Sequence, residues 1–191
     1  MSIRTSLPVE PRPGRAPESD QDRYGAAART FHWTIALLIA GMYLTDWMRG
    51  AAMRASPERA WWLATHETLG ILVLSLTLGR LAWRLGHPAP PIHGTPLIRR
   101  AAQAGHILLY LATLGLPLAG IGRAMAGGGK VTFFGLVFPS LTGNNDMLAA
   151  VSRFIHGGLM MNLLLLLIAG HVLAALWHEF ILKDGTLRRM L

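Results

Sequence analysis

Apolar residues occur in four long stretches of the chain, and the short segments between them carry most of the charge. A helix needs roughly 20 apolar residues to cross the hydrocarbon core of a bilayer, and each stretch reaches that length. The pattern therefore predicts four transmembrane helices. Their expected bounds are 27–47, 61–83, 103–124 and 150–181.

The remaining segments contain residues that interrupt helices. Residues 1–25 combine four prolines with charges and glycine, which predicts a disordered, Pro/Arg-rich cytoplasmic leader. Residues 86–96 are too rich in proline to be helical throughout. Residues 126–146 are rich in glycine and interrupted by Pro139, so we expect an interfacial loop, at most with a short surface helix. The predicted fold class is all-α: an integral membrane four-helix bundle over residues 26–191.

Composition supports a membrane protein and narrows the chemistry. Only 15% of the 191 residues are charged, whereas a soluble domain carries about 25%. The chain has no cysteine, which excludes disulfides, iron–sulfur clusters and heme attached through a CxxCH motif. Its eight histidines are the residues that remain for binding a metal.

The formal net charge is +8, and its distribution indicates membrane topology rather than nucleic-acid binding. Lysine and arginine lie at the ends of the apolar stretches, as the positive-inside rule describes. Two cytoplasmic termini would leave six of the 18 basic residues outside and place the other twelve inside. The six outer residues are Arg49, Arg54, Arg59, Arg123, Lys130 and Arg153. We therefore expect a multi-pass membrane protein with both termini in the cytoplasm and with the last turns of the long fourth helix projecting into the cytoplasm.

Four histidines lie in pairs at two depths of the predicted bundle. His32 lies near the cytoplasmic end of the first helix, and His66 lies near the outer end of the second. His156 is expected near the outer end of the fourth helix, and His171, 15 residues later, about 22 Å further along the axis. An ideal helix would leave these two side chains about 60° apart, so a bend, a π-bulge or rotated ring planes are expected to absorb that angle.

Such pairs suit two b-type hemes bound between the helices. Neutral imidazole is a good ligand for iron, and axial ligands set the potential of a heme. A single histidine in a span is often only a hydrogen-bonding residue between helices. Polar residues in spans are costly and tend to be functional, however, and four of them level in pairs favour heme ligation. Gly157 and Gly158, which follow His156, would let a flat macrocycle approach the backbone.

The other histidines leave alternatives open. His106 is compatible with a heme propionate partner, a reserve ligand or a packing residue, and we favour a role other than ligation. His178 lies two turns beyond His171 at the cytoplasmic interface, where a titratable group could protonate a quinone. An interfacial residue beside Trp177 is an equally good interpretation. His87 and His93 are expected to face solvent in the proline-rich loop.

Seven short motifs together resemble the bacterial cytochrome b561 family of di-heme inner-membrane proteins. They are RTFHW (29–33), HETLG (66–70), GHILLY (105–110), GLPLAG (115–120), FFG…P (133–139), HVLAALWHEF (171–180) and KDGTLRRM (183–190). The resemblance implies that His32, His66, His156 and His171 are the axial ligands. Some members are similar to superoxide oxidases, which take electrons from superoxide at the outer face and reduce ubiquinone at the inner face. The resemblance would place the quinone near the inner heme, with His178 as the candidate residue at that site.

Three functions are compatible with this pattern. The first is a superoxide:ubiquinone oxidoreductase, in which the positive outer residues, with Arg123 and Arg153 as candidates, steer the superoxide anion. The same arginines could instead bind lipid headgroups. The second is a cytochrome b subunit that conducts electrons for a separate dehydrogenase or a periplasmic redox protein. The third is a heme- or lipid-binding module without redox function. Membrane lipids are expected partners in every case, and nucleic acid is not.

Overall fold

The computed structural model describes residues 23–92 and 94–191. Most of these residues are helical. The elements are α1 (Ala26–Ala51), α2 (Pro57–Gly86), α3 (Pro96–Ala126), β1 (Lys130–Phe133), β2 (Leu136–Pro139), α4 (Asp146–Ile155) and α5 (Gly158–Trp177), with a π-helical turn (His178–Leu182) and a final 3-10 turn (Arg188–Met190). Residues 1–22 of the predicted leader and His93 lie outside the described residues.

Capping residues explain where α2 and α3 begin. Ser56 precedes Pro57, and its side chain accepts a hydrogen bond from the backbone N–H of Arg59. Thr95 precedes Pro96 in the same way and accepts from the N–H of Ile98. A hydroxyl cap followed by proline in the first helical position is a strong start signal, because proline has no N–H to leave unpaired. Between α2 and α3, residues 87–92 and 94–95 are not helical, as the proline content of this segment predicts.

Three helical segments of the described chain are long and apolar enough to cross a membrane: Pro57–Gly86, Pro96–Ala126 and Asp146–Leu182. Their outward faces are apolar. Leu37 on α1, Leu111 on α3 and Leu166 on α5 are 72%, 62% and 68% exposed. Large leucines exposed at this level over several helices would be costly in water, and they fit a lipid environment.

The segment expected to be an interfacial loop contains a β-hairpin, so the all-α prediction was wrong in this detail. Strands β1 and β2 pair antiparallel, with Phe133 opposite Leu136. Phe134 and Gly135 both have positive φ, which is the geometry of a two-residue hairpin turn. The hairpin is fastened to α2, because the N–H of Thr132 donates to Glu67 Oε2 at 2.7 Å.

The predicted fourth helix is divided into two parts. α4 ends at Ile155 and α5 begins at Gly158, so the single helix expected over 150–181 is broken at His156 and Gly157. The break supplies the bend that the two histidines of this segment require. α4 packs against α3.

The two ends of the described chain meet at one end of the bundle. The N–H of Tyr24 donates to the carbonyl of Arg189, and the indole N–H of Trp33 donates to the carbonyl of Met190. Arg29 donates to the carbonyl of Leu191. The start of α1 and the C-terminus therefore lie on the same side of the molecule.

Candidate functional site

His66 and His156 face each other at the end of the bundle away from the two chain ends. Their ring centres are 6.1 Å apart, and the ring planes are inclined by 82°. His66 Nδ1 lies 3.1 Å from the hydroxyl of Thr45, which itself donates to the carbonyl of Met42 at 2.9 Å. Because that hydroxyl proton is already used, Thr45 accepts from Nδ1–H of His66. The Nε2 atom of His66 is left unprotonated.

His156 is oriented in the same way from α3. Its Nδ1 atom lies 2.8 Å from the carbonyl oxygen of Leu116, and a carbonyl can only accept, so Nδ1 carries the proton. The ring lies against Gly120, where a Cβ would be only 3.0 Å from Cε1 of His156. Glycine at this position therefore allows the close approach. Histidines that ligate metals commonly donate their second ring nitrogen to such a carbonyl or hydroxyl oxygen.

Gly157 makes the helix break that positions His156. A Cβ on Gly157 would lie 2.7 Å from the carbonyl oxygen of Arg153 and 3.2 Å from that of Phe154. Only glycine fits so close to two backbone oxygens. The chain turns out of α4 here, and His156 points toward α3 and His66.

A small apolar cavity of about 50 Å³ lies beside these two histidines. Its walls include Met42, Tyr43 and Pro117 as well as both rings. The Tyr43 hydroxyl donates to the carbonyl of Met161 at 2.7 Å, so it links α1 to α5 across the cavity.

Three histidines meet at the other end of the bundle. The ring centres of His32 and His171 are 6.1 Å apart, as predicted from their depth, and His106 lies 5.6 Å from His171. Nη1 of Arg80 lies 3.3 Å from Nδ1 of His32. This inner group therefore contains three histidines, one more than the outer pair. It also has the guanidinium of Arg80 beside one ring, and the rings of the outer pair have no such contact among the described residues.

His178 begins the π-helical turn and pairs with an acid. Its Nδ1 atom lies 2.5 Å from Oδ2 of Asp184, whose other oxygen accepts from the N–H and hydroxyl of Thr186. Partial burial opposes ionisation of Asp184, but these hydrogen bonds outweigh it, so the pKa of Asp184 lies below its ordinary value. The result is a histidine–aspartate pair at the end of α5.

Arg123 and Arg153 lie near the crossing of α3 and α4. A Cβ on Gly122 would be 2.6 Å from the hydroxyl of Ser152, so the helices touch at the residues that precede both arginines. Both side chains are exposed. Within the described part of the chain neither forms an ion pair, whereas Arg49 pairs with Asp46 at 2.6 Å.

Sequence reasoning missed two polar side chains at these groups. Thr45 lies within a predicted apolar span, and Arg80 enters the sequence argument only through the charge balance of the membrane topology. The available signal was a hydroxyl and a guanidinium inside predicted spans, because polar groups there are costly and tend to serve a site.

Comparisons with known proteins identify the family. The model of the prokaryotic cytochrome b561 family matches residues 23–191. The probable superoxide oxidase CybB of Yersinia pestis is 33% identical over 171 residues, which cover 88% of this chain and 96% of that protein. Cytochrome b561 homolog 1 of Escherichia coli K12 is 34% identical over 173 residues, covering 89% and 97%.

A third similar protein is also named as a cytochrome b. Cytochrome b562 of Cereibacter sphaeroides is 33% identical over 166 residues, which cover 85% of this chain and 90% of the relative. The family implies a membrane cytochrome of electron transport that uses heme b. Both the family match and the shared length extend over nearly all described residues. The chain belongs to the prokaryotic cytochrome b561 family.

Proposed function

We propose that this protein is a di-heme membrane cytochrome that oxidises superoxide at the outer face and reduces ubiquinone at the inner face. Two superoxide anions each lose one electron and become dioxygen. Ubiquinone takes up those two electrons and two protons and becomes ubiquinol. The observation that carries the proposal is the presence of two histidine pairs with equal ring spacing at opposite ends of one bundle.

Helix α1 is the fourth span in this proposal. Its beginning contacts the C-terminus through Trp33, and its far end contacts His66 through Thr45. α1 therefore covers the same depth as α2, and its 26 residues measure about 39 Å. Both ends of the described chain then lie on one side, and the excess of basic residues supports a cytoplasmic position for that side in the bacterial inner membrane.

The spacing of the rings fits bis-histidine ligation. Two imidazoles that held one metal ion between them, with bonds of roughly 2.0 Å, would have ring centres about 6 Å apart. The two pairs, His66 with His156 and His32 with His171, both measure 6.1 Å. At the outer pair, both Nδ1 atoms donate to protein oxygens, so both Nε2 atoms are available to iron. Heme held in this way supplies one-electron redox chemistry with little rearrangement of its ligands.

The exposed arginines support an anionic substrate at the outer end. Arg123 follows Gly122 on α3 and Arg153 follows Ser152 on α4, so both lie near the contact of these two helices, and neither forms an ion pair within the described residues. Unpaired positive charge raises the local concentration of a small anion and its association rate. The Yersinia relative is named a probable superoxide oxidase, which agrees with superoxide as that anion.

The pair of His178 and Asp184 supports quinone reduction at the inner end. Asp184 holds Nδ1–H of His178, so Nε2 is free to exchange a proton with a bound molecule. His178 lies seven residues beyond His171, about 10 Å along the axis and toward the cytoplasm. A long-tailed quinone would reach this level from within the bilayer, and protons would reach it from the cytoplasm.

Stopped-flow measurement of heme reduction by superoxide tests the proposal. We expect the rate to fall as salt rises, because the screening length shortens from roughly 30 Å at 0.01 M to 10 Å at 0.1 M. Arg123→Gln combined with Arg153→Gln should slow reduction and flatten this salt dependence. The matched control is Arg99→Gln with Arg100→Gln, which removes the same charge from exposed positions at the other end and should change neither.

A variant of His178 tests the second half of the reaction, which is the reduction of ubiquinone. His178→Gln should leave reduction by superoxide intact and slow reoxidation of the hemes by a water-soluble ubiquinone. If superoxide reduces the hemes no faster than it disproportionates, the oxidase proposal fails. An electron conduit for a separate dehydrogenase or periplasmic protein then becomes the better description.

A further inference from the structure

The two histidine groups differ in the atoms that face the Nδ1 nitrogens of their rings. At the outer pair, Nδ1 of His66 and Nδ1 of His156 each lie within 3.1 Å of an oxygen that accepts their proton. At the inner group, Nδ1 of His32 faces the guanidinium of Arg80 at 3.3 Å. The polarity of the contact is therefore reversed between the two ends.

This reversal places a positive charge beside the inner ring pair. An arginine side chain only donates hydrogen bonds, so Arg80 cannot accept a proton from His32. The charge of its guanidinium acts through space on any group bound between His32 and His171.

The charge of Arg80 is not neutralised nearby. The side chain is partly buried, and its guanidinium lies 5.6 Å from the centre of the Tyr110 ring. The carboxylates of the same end are engaged elsewhere: Glu179 pairs with Arg188, and Asp184 pairs with His178. Over residues 23–92 and 94–191, Arg80 forms no ion pair.

We propose that Arg80 gives the inner heme site a higher reduction potential than the outer one, so that electrons move inward downhill. The inference rests on the proposed function, because it requires heme at both histidine pairs. Iron carries less positive charge when reduced, so a nearby uncompensated cation favours the reduced state. Hydrogen bonds and charges around axial ligands are recognised means of tuning heme potentials.

Spectroelectrochemical titration of the purified, heme-loaded protein tests the inference. Arg80→Gln should lower the potential of the inner site by at least a tenfold change in equilibrium constant, about 59 mV for one electron. Arg80→Lys keeps the charge and should stay near wild type. Arg84→Gln is the matched control, because Arg84 lies one turn further along α2 and lines the same cavity as Arg80, of about 550 Å³. The guanidinium that lies against His32 is that of Arg80, so Arg84→Gln should shift the potential less than Arg80→Gln.

Measurements in two forms of the protein assign each potential to the inner or to the outer site. In the His66→Ala background, which removes an outer ligand, the potential that remains belongs to the inner site and should fall with Arg80→Gln. In the otherwise wild-type protein, only one of the two potentials should move. The measurement in the otherwise wild-type protein tests the inference even if the His66→Ala protein does not assemble.

Several results would overturn the inference. Two hemes with unchanged potentials in Arg80→Gln would refute it and leave the proposed function standing. An equal shift of both potentials would show a general effect rather than a local one. Loss of the inner heme in Arg80→Gln but not in Arg80→Lys would show that Arg80 anchors a heme carboxylate. A wild-type protein with fewer than two hemes would instead refute the proposed function.

Discussion

Replacement of Gly157 by alanine should disrupt the outer site without touching any histidine. The added Cβ would lie 2.7 Å from the carbonyl oxygen of Arg153 and 3.2 Å from that of Phe154. Both oxygens belong to the backbone of α4, so neither can rotate away as a side chain could. Relief requires α4 and α5 to move apart, and this displaces His156, which lies between them.

The expected cost is that of overpacking a close contact, about 1–3 kcal/mol. If the same strain acts on heme binding, outer-site affinity should fall between about fivefold and 150-fold, since 1.4 kcal/mol is tenfold. The thermal midpoint should fall by roughly 2–4 °C per kcal/mol for a chain of this size. The inner pair of His32 and His171 should keep its heme, because Gly157 contacts neither ring.

Gly158→Ala is the matched control. A Cβ on Gly158 would have nothing within 4 Å, and the residue begins α5, where alanine is the better helix former. Heme content by pyridine hemochrome, the α-band spectrum and thermal unfolding should distinguish the two variants. Equal behaviour of Gly157→Ala and Gly158→Ala would refute the close-contact argument, whatever the ligand assignment.

Three further changes test other contacts. Thr45→Val removes the acceptor of His66 Nδ1–H; we expect a cost of about 1–3 kcal/mol and a 10–100-fold loss of heme affinity at the outer site, measured by heme transfer to an apo-globin. Glu67→Ala should free the hairpin and speed proteolysis near Phe134, whereas Glu67→Gln can still accept from Thr132 and should not. The stability that ionised Asp184 contributes should be lost as pH falls below the ordinary pKa of an aspartate, because the pKa of Asp184 is lowered in the folded protein; thermal unfolding of Asp184→Asn should lack this acid dependence.

Apolar length predicted four membrane-spanning stretches, and three helical segments of the described chain are long and apolar enough to cross a membrane. The predicted starts at residues 61 and 103 were late, because α2 begins at Pro57 and α3 at Pro96. Proline after a hydroxyl residue marks both of these beginnings, and it was the available signal. These signals act within a few residues, so no knowledge of tertiary contacts was needed.

The hairpin was missed because its signal is short and mixed with loop residues. Lys130–Phe133 and Leu136–Pro139 are only four residues each, and glycines surround them. β-branched and aromatic residues on both sides of a Phe-Gly pair were the available indication. A hairpin of this size is marginal alone, and its anchor on Glu67 of α2 is a tertiary contact that the sequence does not reveal.

The depth of the histidines was predictable, but their surroundings were not. Depth follows from position along a helix, so counting residues is enough to place His32 and His171 at one level. Which side chain faces the second ring nitrogen depends on how neighbouring helices are rotated. The contacts from Thr45 and Arg80 cross between α1 and α2 and connect residues 21 and 48 positions apart, so composition and spacing gave no access to them.

The helix break explains how one apolar segment serves two sites. As one straight helix, the 37 residues of Asp146–Leu182 would measure about 55 Å, far more than a bilayer core of roughly 30 Å. With the break, the 20 residues of α5 suffice to cross, and α4 is free to lean on α3. A straight helix would also point His156 and His171 about 60° apart, with no means of adjusting one without the other. Ending α4 at His156 lets the first ring be oriented by the carbonyl of Leu116 while α5 alone orients the second. The surplus length of the segment is thus what allows its two histidines to face different partners, His66 and His32.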